Sequence, residues 1–415
     1  MKLNPFVFLY KSNDILCFYN SLTMERLYLN INDIKIETGT LYKKMFYVND
    51  NFNERNYYST ITQCYNNDSH INSVIMLLTS ECNFNCKYCF IESRFNKYIK
   101  KKMTIQTAKK AVDFLIKNMI NNCMIIFYGG EPLLNVDIIK YVVSNLNKYS
   151  NDIKYTIITN GALIDDKLIE FCKLYKIHIC VSLDGPSEIN DINRIDKKGN
   201  GTFEIVYKNL QKCKDGAIDI GLSVTITPDN ALEKLLPILK DLGIKSIGFN
   251  TLSPNNNIQI KERHHREISN HILNTILKFK QEGITEEKYY SLRYKSLKKR
   301  LFVLRHCSAY GKQIVITPDG KIGPCQGLWP DYENNNGNEF FKISLDSSID
   351  DFTHSYNKWN QRIPIFMESC YKCPAIAICG GGCAKNAYIE NNDINSIDKS
   401  FCEEMKTLLA WSIWH

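Results

Sequence analysis

The sequence runs to 415 residues, enough for two or three domains around a large core, and its 44% hydrophobic content is that of an ordinary globular protein. The net charge of +8 is dispersed, with only short basic runs such as Lys100-Lys101-Lys102 between acidic residues, which excludes a nucleic-acid footprint. The opening Met1-Lys2-Leu3-Asn4-Pro5-Phe6 lacks a long apolar targeting segment and no stretch approaches bilayer length, so a cytoplasmic protein without membrane attachment is expected, whose 16 cysteines point to metal rather than disulfides.

Residues 1–70 read as a β-rich N-terminal segment. Short strands are predicted over 6–10, 15–19 and 25–29, joined by the turn-forming runs Ser12-Asn13-Asp14 and Asn20-Ser21, while 31–65 is rich in asparagine and shows no helical period. From 71 to 252 the rhythm becomes strand, helix, strand, helix. Strands are predicted over 74–79, 124–128, 154–159, 178–183, 220–226 and 246–250. Thr104 caps a helix carrying Ile105, Ala108, Val112, Leu115 and Met119; later helices carry Val136, Ile139, Val143 and Leu146, then Phe203, Val206, Leu210 and Cys213. Pro237 kinks the fifth helix or marks its late start. Six βα units make an α/β fold, a partial (βα)6 TIM-like barrel, with function expected on the loops at the strands' C-terminal ends.

The first of those loops is Cys82-Asn83-Phe84-Asn85-Cys86-Lys87-Tyr88-Cys89. Three soft ligands on one loop can hold a 4Fe-4S cluster but leave one of its four irons open. A zinc site would normally add a second cysteine pair or histidines, and His70, His178, His264 and His265 lie far away in sequence. Gly129-Gly130-Glu131-Pro132 follows the second strand, where glycines admit a ligand close to the backbone and a glutamate can accept hydrogen bonds from an ammonium group. Asn160 ends the third strand, Ser182 and Asp184 end the fourth, and Arg194 follows in the next loop. A helix cap or a turn is an alternative role for Asn160 and Asp184.

Residues 253–305 read as a helical connector, with helices near 267–281 and 286–304; Arg293, Lys295, Lys298, Lys299 and Arg300 are expected on a solvated face. Residues 306–415 contain Cys307, Cys325, Cys370, Cys373, Cys379, Cys383 and Cys402, with small residues at Gly320 and Gly380 to Gly382 that let backbone wrap a cluster. Cys17, Cys64, Cys123, Cys172, Cys180 and Cys213 read for the most part as small hydrophobes on buried faces.

The three-cysteine loop with Tyr88 before its last thiol, taken with Gly129-Gly130-Glu131-Pro132, closely resembles the radical S-adenosylmethionine enzymes, and the second cysteine set resembles their SPASM extension. The resemblance covers about residues 73–402. It implies that Cys82, Cys86 and Cys89 hold a 4Fe-4S cluster whose open iron chelates S-adenosylmethionine, with Tyr88, Gly129, Gly130, Glu131, Pro132, Asn160, Ser182, Asp184 and Arg194 around that cosubstrate. Reductive cleavage would give a 5'-deoxyadenosyl radical. Two auxiliary 4Fe-4S clusters are implied, three in all: an outer one on Cys370, Cys373, Cys379 and Cys402, and an inner one on Cys307, Cys325 and Cys383 that lacks its last ligand.

Sulfatase maturases of this family place that ligand six residues before the first auxiliary cysteine, where Leu301 stands here, and a base where Gln326 stands; both departures count against formylglycine maturation. The implied function is a peptide maturase installing a crosslink, a cysteine thioether, in a ribosomally made precursor peptide. A substrate thiolate would bind the vacant inner iron, unless Cys213 or a non-cysteine side chain fills it. An electron donor such as ferredoxin or flavodoxin is implied as a partner. The N-terminal segment resembles the winged-helix peptide-recognition domain of such maturases, with a plain β-rich cap on the barrel as the alternative. Carbon-carbon crosslinking, epimerisation and sulfatase maturation remain as rivals within the class, and a metal-stabilised binding protein without catalysis as a rival outside it.

Overall fold

The computed structural model describes residues 2–32, 38–63, 70–91, 100–118, 120–227, 231–252, 262–286, 290–334, 338–355, 359 and 362–415. The N-terminal strands are β1 (Lys2–Leu3), the antiparallel meander β2 (Val7–Ser12), β3 (Ile15–Asn20) and β4 (Arg26–Asn30), and β5 (Tyr47–Val48), which pairs back with β1. Alternation along β3 buries Cys17 and Tyr19 and leaves Ile15 outside. Two helices, Thr38–Lys43 and Glu54–Gln63, stand where no helical period was legible. The second starts at Asn53, whose Oδ1 accepts the Asn56 N–H at 3.3 Å, and among its described side chains Tyr57, Ile61 and Thr62 are at least partly buried.

The central sheet has ten strands. Six of them, β6 (Ser73–Leu77), β7 (Met124–Tyr128), β8 (Lys154–Thr159), β9 (His178–Ser182), β10 (Ile220–Ile226) and β11 (Ser246–Thr251), lie parallel in chain order. β12 (Thr285–Glu286) extends one edge in parallel. At the other edge β13 (Gln313–Ile316) pairs in parallel with β6, followed antiparallel by β14 (Lys321–Gly323) and β15 (Ile343–Ser344). The cysteine-rich C-terminal region is thereby joined to the barrel by backbone hydrogen bonds rather than hung from a linker.

The intervening helices form where the sequence places them. Thr104 Oγ1 accepts the Thr107 N–H at 3.1 Å and starts Ile105–Lys117, which buries Ala108, Ala111, Val112, Phe114 and Leu115 but leaves Ile105 exposed. Val136–Tyr149 and Phe203–Asp215 bury the apolar residues expected of them, except Val136 and Phe203 at their first turns, which pack only partly. Leu235–Leu242 begins two residues before Pro237, so the proline sits in the first turn, where its missing N–H costs nothing. In the connector, Glu262–Gln281 and Tyr290–Lys299 pack near the C-terminal helix Lys399–Trp414, with Arg266 Nε donating to Glu403 at 2.6 Å.

The N-terminal sheet contacts the C-terminal region. Phe6, fully buried, meets the ring of Tyr371 edge-on at 5.6 Å, Arg26 donates to the Ser412 carbonyl at 3.0 Å, and the Tyr28 hydroxyl donates to the Ile413 carbonyl. Among the described residues, no helix is long and apolar enough to cross a membrane.

Candidate functional site at the barrel mouth

Parallel register brings the strands' C-terminal ends to one lip: Leu77 lies opposite Tyr128, Thr159 opposite Val181 and Ser182 opposite Ser223. The cysteine loop leaves this lip after β6. Gly129 has φ +144°, and a Cβ there would stand 2.4 Å from the Thr79 carbonyl oxygen; a Cβ on Gly130 would stand 2.3 Å from that of Glu81. The two glycines are therefore needed for backbone to lie on backbone, with Gly130 N–H on Thr79 O at 2.7 Å and Glu131 N–H on Glu81 O at 2.8 Å. The turn and the root of the cysteine loop thus form one rigid unit.

Glu131 is wholly buried. Its Oε1 accepts the Thr159 hydroxyl at 2.7 Å and the Leu133 N–H at 3.0 Å, and its Oε2 accepts the Asn160 N–H at 2.8 Å. Burial pushes its carboxyl up to about 7 against the pull of those donors. These bonds tie the Gly-Gly-Glu-Pro turn to the end of β8, and Pro132 opens the short turn that follows. Asn160 is thereby aimed at the cysteine loop: its Nδ2 lies 2.7 Å from Asn83 Oδ1 and 3.7 Å from Cys82 Sγ, while its Oδ1 accepts the Ala162 N–H at 3.0 Å.

Asp184, Arg194 and Tyr88 converge across the mouth. Arg194 Nη2 donates to Asp184 Oδ1 at 3.0 Å, the Thr225 N–H reaches the same oxygen at 2.9 Å, and the Tyr88 hydroxyl donates to Oδ2. The guanidinium carbon lies 5.3 Å from the Tyr88 ring centroid, and all three residues are buried. Burial alone would push Arg194 down, but Asp184, Tyr88 and Cys86 more than reverse it, so its cation is held firmly. Asp184 therefore acts through ion pairing rather than as a helix cap. Ser182 closes β9 at the lip, half-buried.

The loop thiols are pushed up, Cys82 to about 12 and Cys86 to about 11. Burial is the first cause for both, and the neighbouring thiols add to it. Such thiols ionise at neutral pH only when a metal takes their proton, and the N–H groups of Phe84 (3.4 Å) and Asn160 are already placed to support the Cys82 sulfur. Among the described residues, no three His, Cys, Asp or Glu side chains converge as ligands of a single ion. A cubane takes one thiolate per iron and does not need that convergence.

The C-terminal cysteines separate into two groups. Cys370, Cys373, Cys379 and Cys402 line one cavity of ≈ 650 Å³, and each is raised by burial. Cys307, Cys325 and Cys383 act on one another, with Cys307 and Cys325 raised to about 12, by burial first and then by neighbouring thiols. The Cys307 residue is exposed to solvent. Between the groups, Gly380, Gly381 and Gly382 have φ of +72°, +88° and +70°, a left-handed run open only to glycine. Arg362, buried, holds that run by donating to the carbonyls of Gly381 and Gly382.

Cys213 lies in the helical layer against Cys172, fully buried, and does not belong to the three-cysteine group. Leu301 is half exposed. Arg293 departs from the solvated face expected of it: it is buried, donates to the His306 carbonyl at 2.7 Å, and lowers both Cys307 and Cys379 against their burial. Arg293 and Arg362 carried no sequence signal, because each meets its cysteine group from a separate element.

The parallel βα sheet places three cysteines on the loop after its first strand, at the lip where enzymes of this architecture hold their cofactors. The Radical SAM superfamily model matches residues 76–230. An uncharacterised protein of Methanocaldococcus jannaschii is 37% identical over 207 residues, 49% of this chain and 70% of that protein. The radical SAM cyclopropyl synthase TigE of Paramaledivibacter caminithermalis is 26% identical over 362 residues, 82% of this chain and 73% of that enzyme. In fold, Streptococcus suis SuiB, solved bound to its precursor peptide SuiA, matches with a TM-score of 0.60 at 16% identity, covering 96% of this chain and 99% of that one. The chain belongs to the radical SAM superfamily. It is a radical S-adenosylmethionine enzyme, and proteins of this class bind a 4Fe-4S cluster and S-adenosylmethionine.

Proposed function

We propose that the protein is a peptide maturase that closes a cysteine thioether in a ribosomally made precursor peptide. The observation that carries this reading is the separation of the C-terminal cysteines into a group of four lining one cavity and a group of three beside it. Four thiols complete a cubane, while three leave an iron for which a substrate thiolate is the natural soft ligand. Cys82, Cys86 and Cys89 would hold the cofactor-binding cluster, Cys370, Cys373, Cys379 and Cys402 an outer cluster, and Cys307, Cys325 and Cys383 an inner one. When bound, these groups would supply an electron to split S-adenosylmethionine into methionine and a 5'-deoxyadenosyl radical, which would take a hydrogen atom from a peptide carbon and leave as 5'-deoxyadenosine, and would accept the electron released when the deprotonated sulfur bonds to that carbon radical.

The chain's own residues bind and orient. Asn160 and the Phe84 N–H support Cys82, Tyr88 is fixed by Asp184, and the Gly129-Gly130 backbone sets the loop's root. The reading keeps a domain division at 70, 252 and 305, with 1–70 as a candidate peptide-binding segment. SuiB's precursor peptide supports a peptide substrate. TigE favours a second reading, carbon-carbon bond formation, since it is named a cyclopropyl synthase and matches over most of the chain. Ferredoxin or flavodoxin would serve as electron donor.

The test is anaerobic reaction with a cysteine-containing precursor peptide. Cys82→Ala is expected to abolish 5'-deoxyadenosine formation, and Cys383→Ala to retain it while losing crosslinked product. Loss of two hydrogens with sulfur resistant to alkylation supports the thioether. The same loss with alkylatable sulfur supports the carbon-carbon reading, and an unchanged mass supports epimerisation. Normal thioether formation by Cys383→Ala would overturn the inner-cluster role.

A further inference from the structure

We propose that the buried ammonium of Lys385 is the counter-cation of the inner three-cysteine site and sets the potential of the cluster held there. This inference rests on the cluster assignment above. Lys385 is only 4% exposed, and it sits two residues after Cys383 in the short helix Ala384–Asn391. Its stem crosses to the other cysteine turn: a Cβ on Gly327, two residues after Cys325, would lie 3.1 to 3.3 Å from its Cδ, Cγ and Cε. A side chain there would crowd the lysine stem and push it aside by a few tenths of an ångström.

The ammonium is positioned at its far end. It donates to Asn386 Oδ1 at 3.2 Å and stands 5.4 Å from the ring centroid of Phe90, the residue after Cys89. Asn386 is oriented in turn, its Nδ2 donating at 3.1 Å to Asp398 Oδ2, which also takes the Cys383 N–H at 3.2 Å. Asp398 Oδ1 accepts the Phe401 N–H at 3.1 Å and so caps the helix that carries Cys402. One hydrogen-bonded chain, Lys385 to Asn386 to Asp398, therefore joins the barrel loop, the inner cysteines and the outer cysteines.

Burying an ammonium is costly unless anions lie near it, and the Glu390 carboxyl of the same helix is already within its electrostatic reach. The stem runs between the turn of Cys383 and the turn of Cys325, which sets the lysine beside both ligand loops of the inner group. Reduction adds one negative charge to a cluster, and nearby charge is one of the terms that set its potential. A fixed cation favours the reduced form; its removal lowers the potential. Lys385 is thus a positioning and tuning residue that acts through the cluster.

The test compares anaerobically reconstituted wild type, K385M and K385R by iron and sulfide content and by redox titration followed with electron paramagnetic resonance. In K385M, one transition is expected to move down so that the reduced-to-oxidised ratio at the wild-type midpoint falls about tenfold, or ~59 mV for one electron. The moved transition should be the one missing from C383A, and K385R should remain near wild type. If K385M loads less iron, K385Q supplies the same comparison. Wild-type midpoints in a fully loaded K385M or K385Q overturn the proposal, as does a shift confined to the transition missing from C82A. If C383A keeps every transition and the full iron and sulfide of wild type, the inner-cluster assignment itself fails, whatever K385M shows.

Discussion

Asp184→Ala is expected to destabilise the protein and to loosen the cysteine loop together. Asp184 is 3% exposed and Arg194 6%, and their contact is 3.0 Å. Removing one member of a buried pair costs about 3–5 kcal/mol, because the remaining charge keeps its desolvation penalty without its partner. The Thr225 N–H and the Tyr88 hydroxyl lose their acceptor as well, at ~1–3 kcal/mol for each group that water does not reach. Against this, Arg194 retains the Thr225 hydroxyl at 3.4 Å and the face of Tyr88, which places the expected loss near the lower end, ~3 kcal/mol. Anaerobic urea unfolding of the metal-free chain measures it, and a cycle with Arg194→Met isolates the pair. Because Tyr88 lies between Cys86 and Cys89, iron uptake by the loop should fall in the same variant. A loss below ~1 kcal/mol with no coupling to Arg194 would mean that the pair behaves as a solvent-screened surface contact, and the reasoning would be refuted.

Glu404 is 2% exposed, hydrogen-bonded to Thr251 and Tyr290, and raised to about 8 by burial and then by Asp398. Its contribution to stability is fully present below about 4.5 and is lost as pH rises through about 8, on the order of 5 kcal/mol. Glu404→Gln should flatten the dependence of Tm on pH between these values; identical profiles would refute the assignment. Gly380→Ala meets a φ of +72° and the Arg305–His306 backbone at 2.5 to 2.6 Å, and is expected to cost at least ~1–3 kcal/mol and reduce iron bound by the C-terminal cysteines. Cys213→Ala is expected to leave iron and sulfide content unchanged, since that thiol lies against Cys172 in the helical layer. Phe6→Ala empties a fully buried site against Tyr371 and should cost about 3–5 kcal/mol in the same unfolding assay.

The three-cysteine loop, the Gly129-Gly130 turn and the six parallel strands were legible in the amino-acid order, because cysteine spacing, glycine turns and two-sided burial are properties of a few consecutive residues. The cysteines of the C-terminal region announced themselves in the same way. What only the tertiary structure decided is where isolated charges go. Arg293 reads as one of five basic residues on a helix and proves to be buried beside Cys307; Glu131 reads as a ligand for an ammonium group and is engaged by Thr159 and Asn160. Lys385, Asn386 and Asp398 form a chain because left-handed Gly382 lies against Asp398, where a Cβ would stand 3.0 Å from its Cβ, and so brings the helix after Cys383 to the start of the helix carrying Cys402. Burying a charge becomes tolerable only when partners from distant segments arrive together, and that convergence is a property of the folded chain rather than of any window along it.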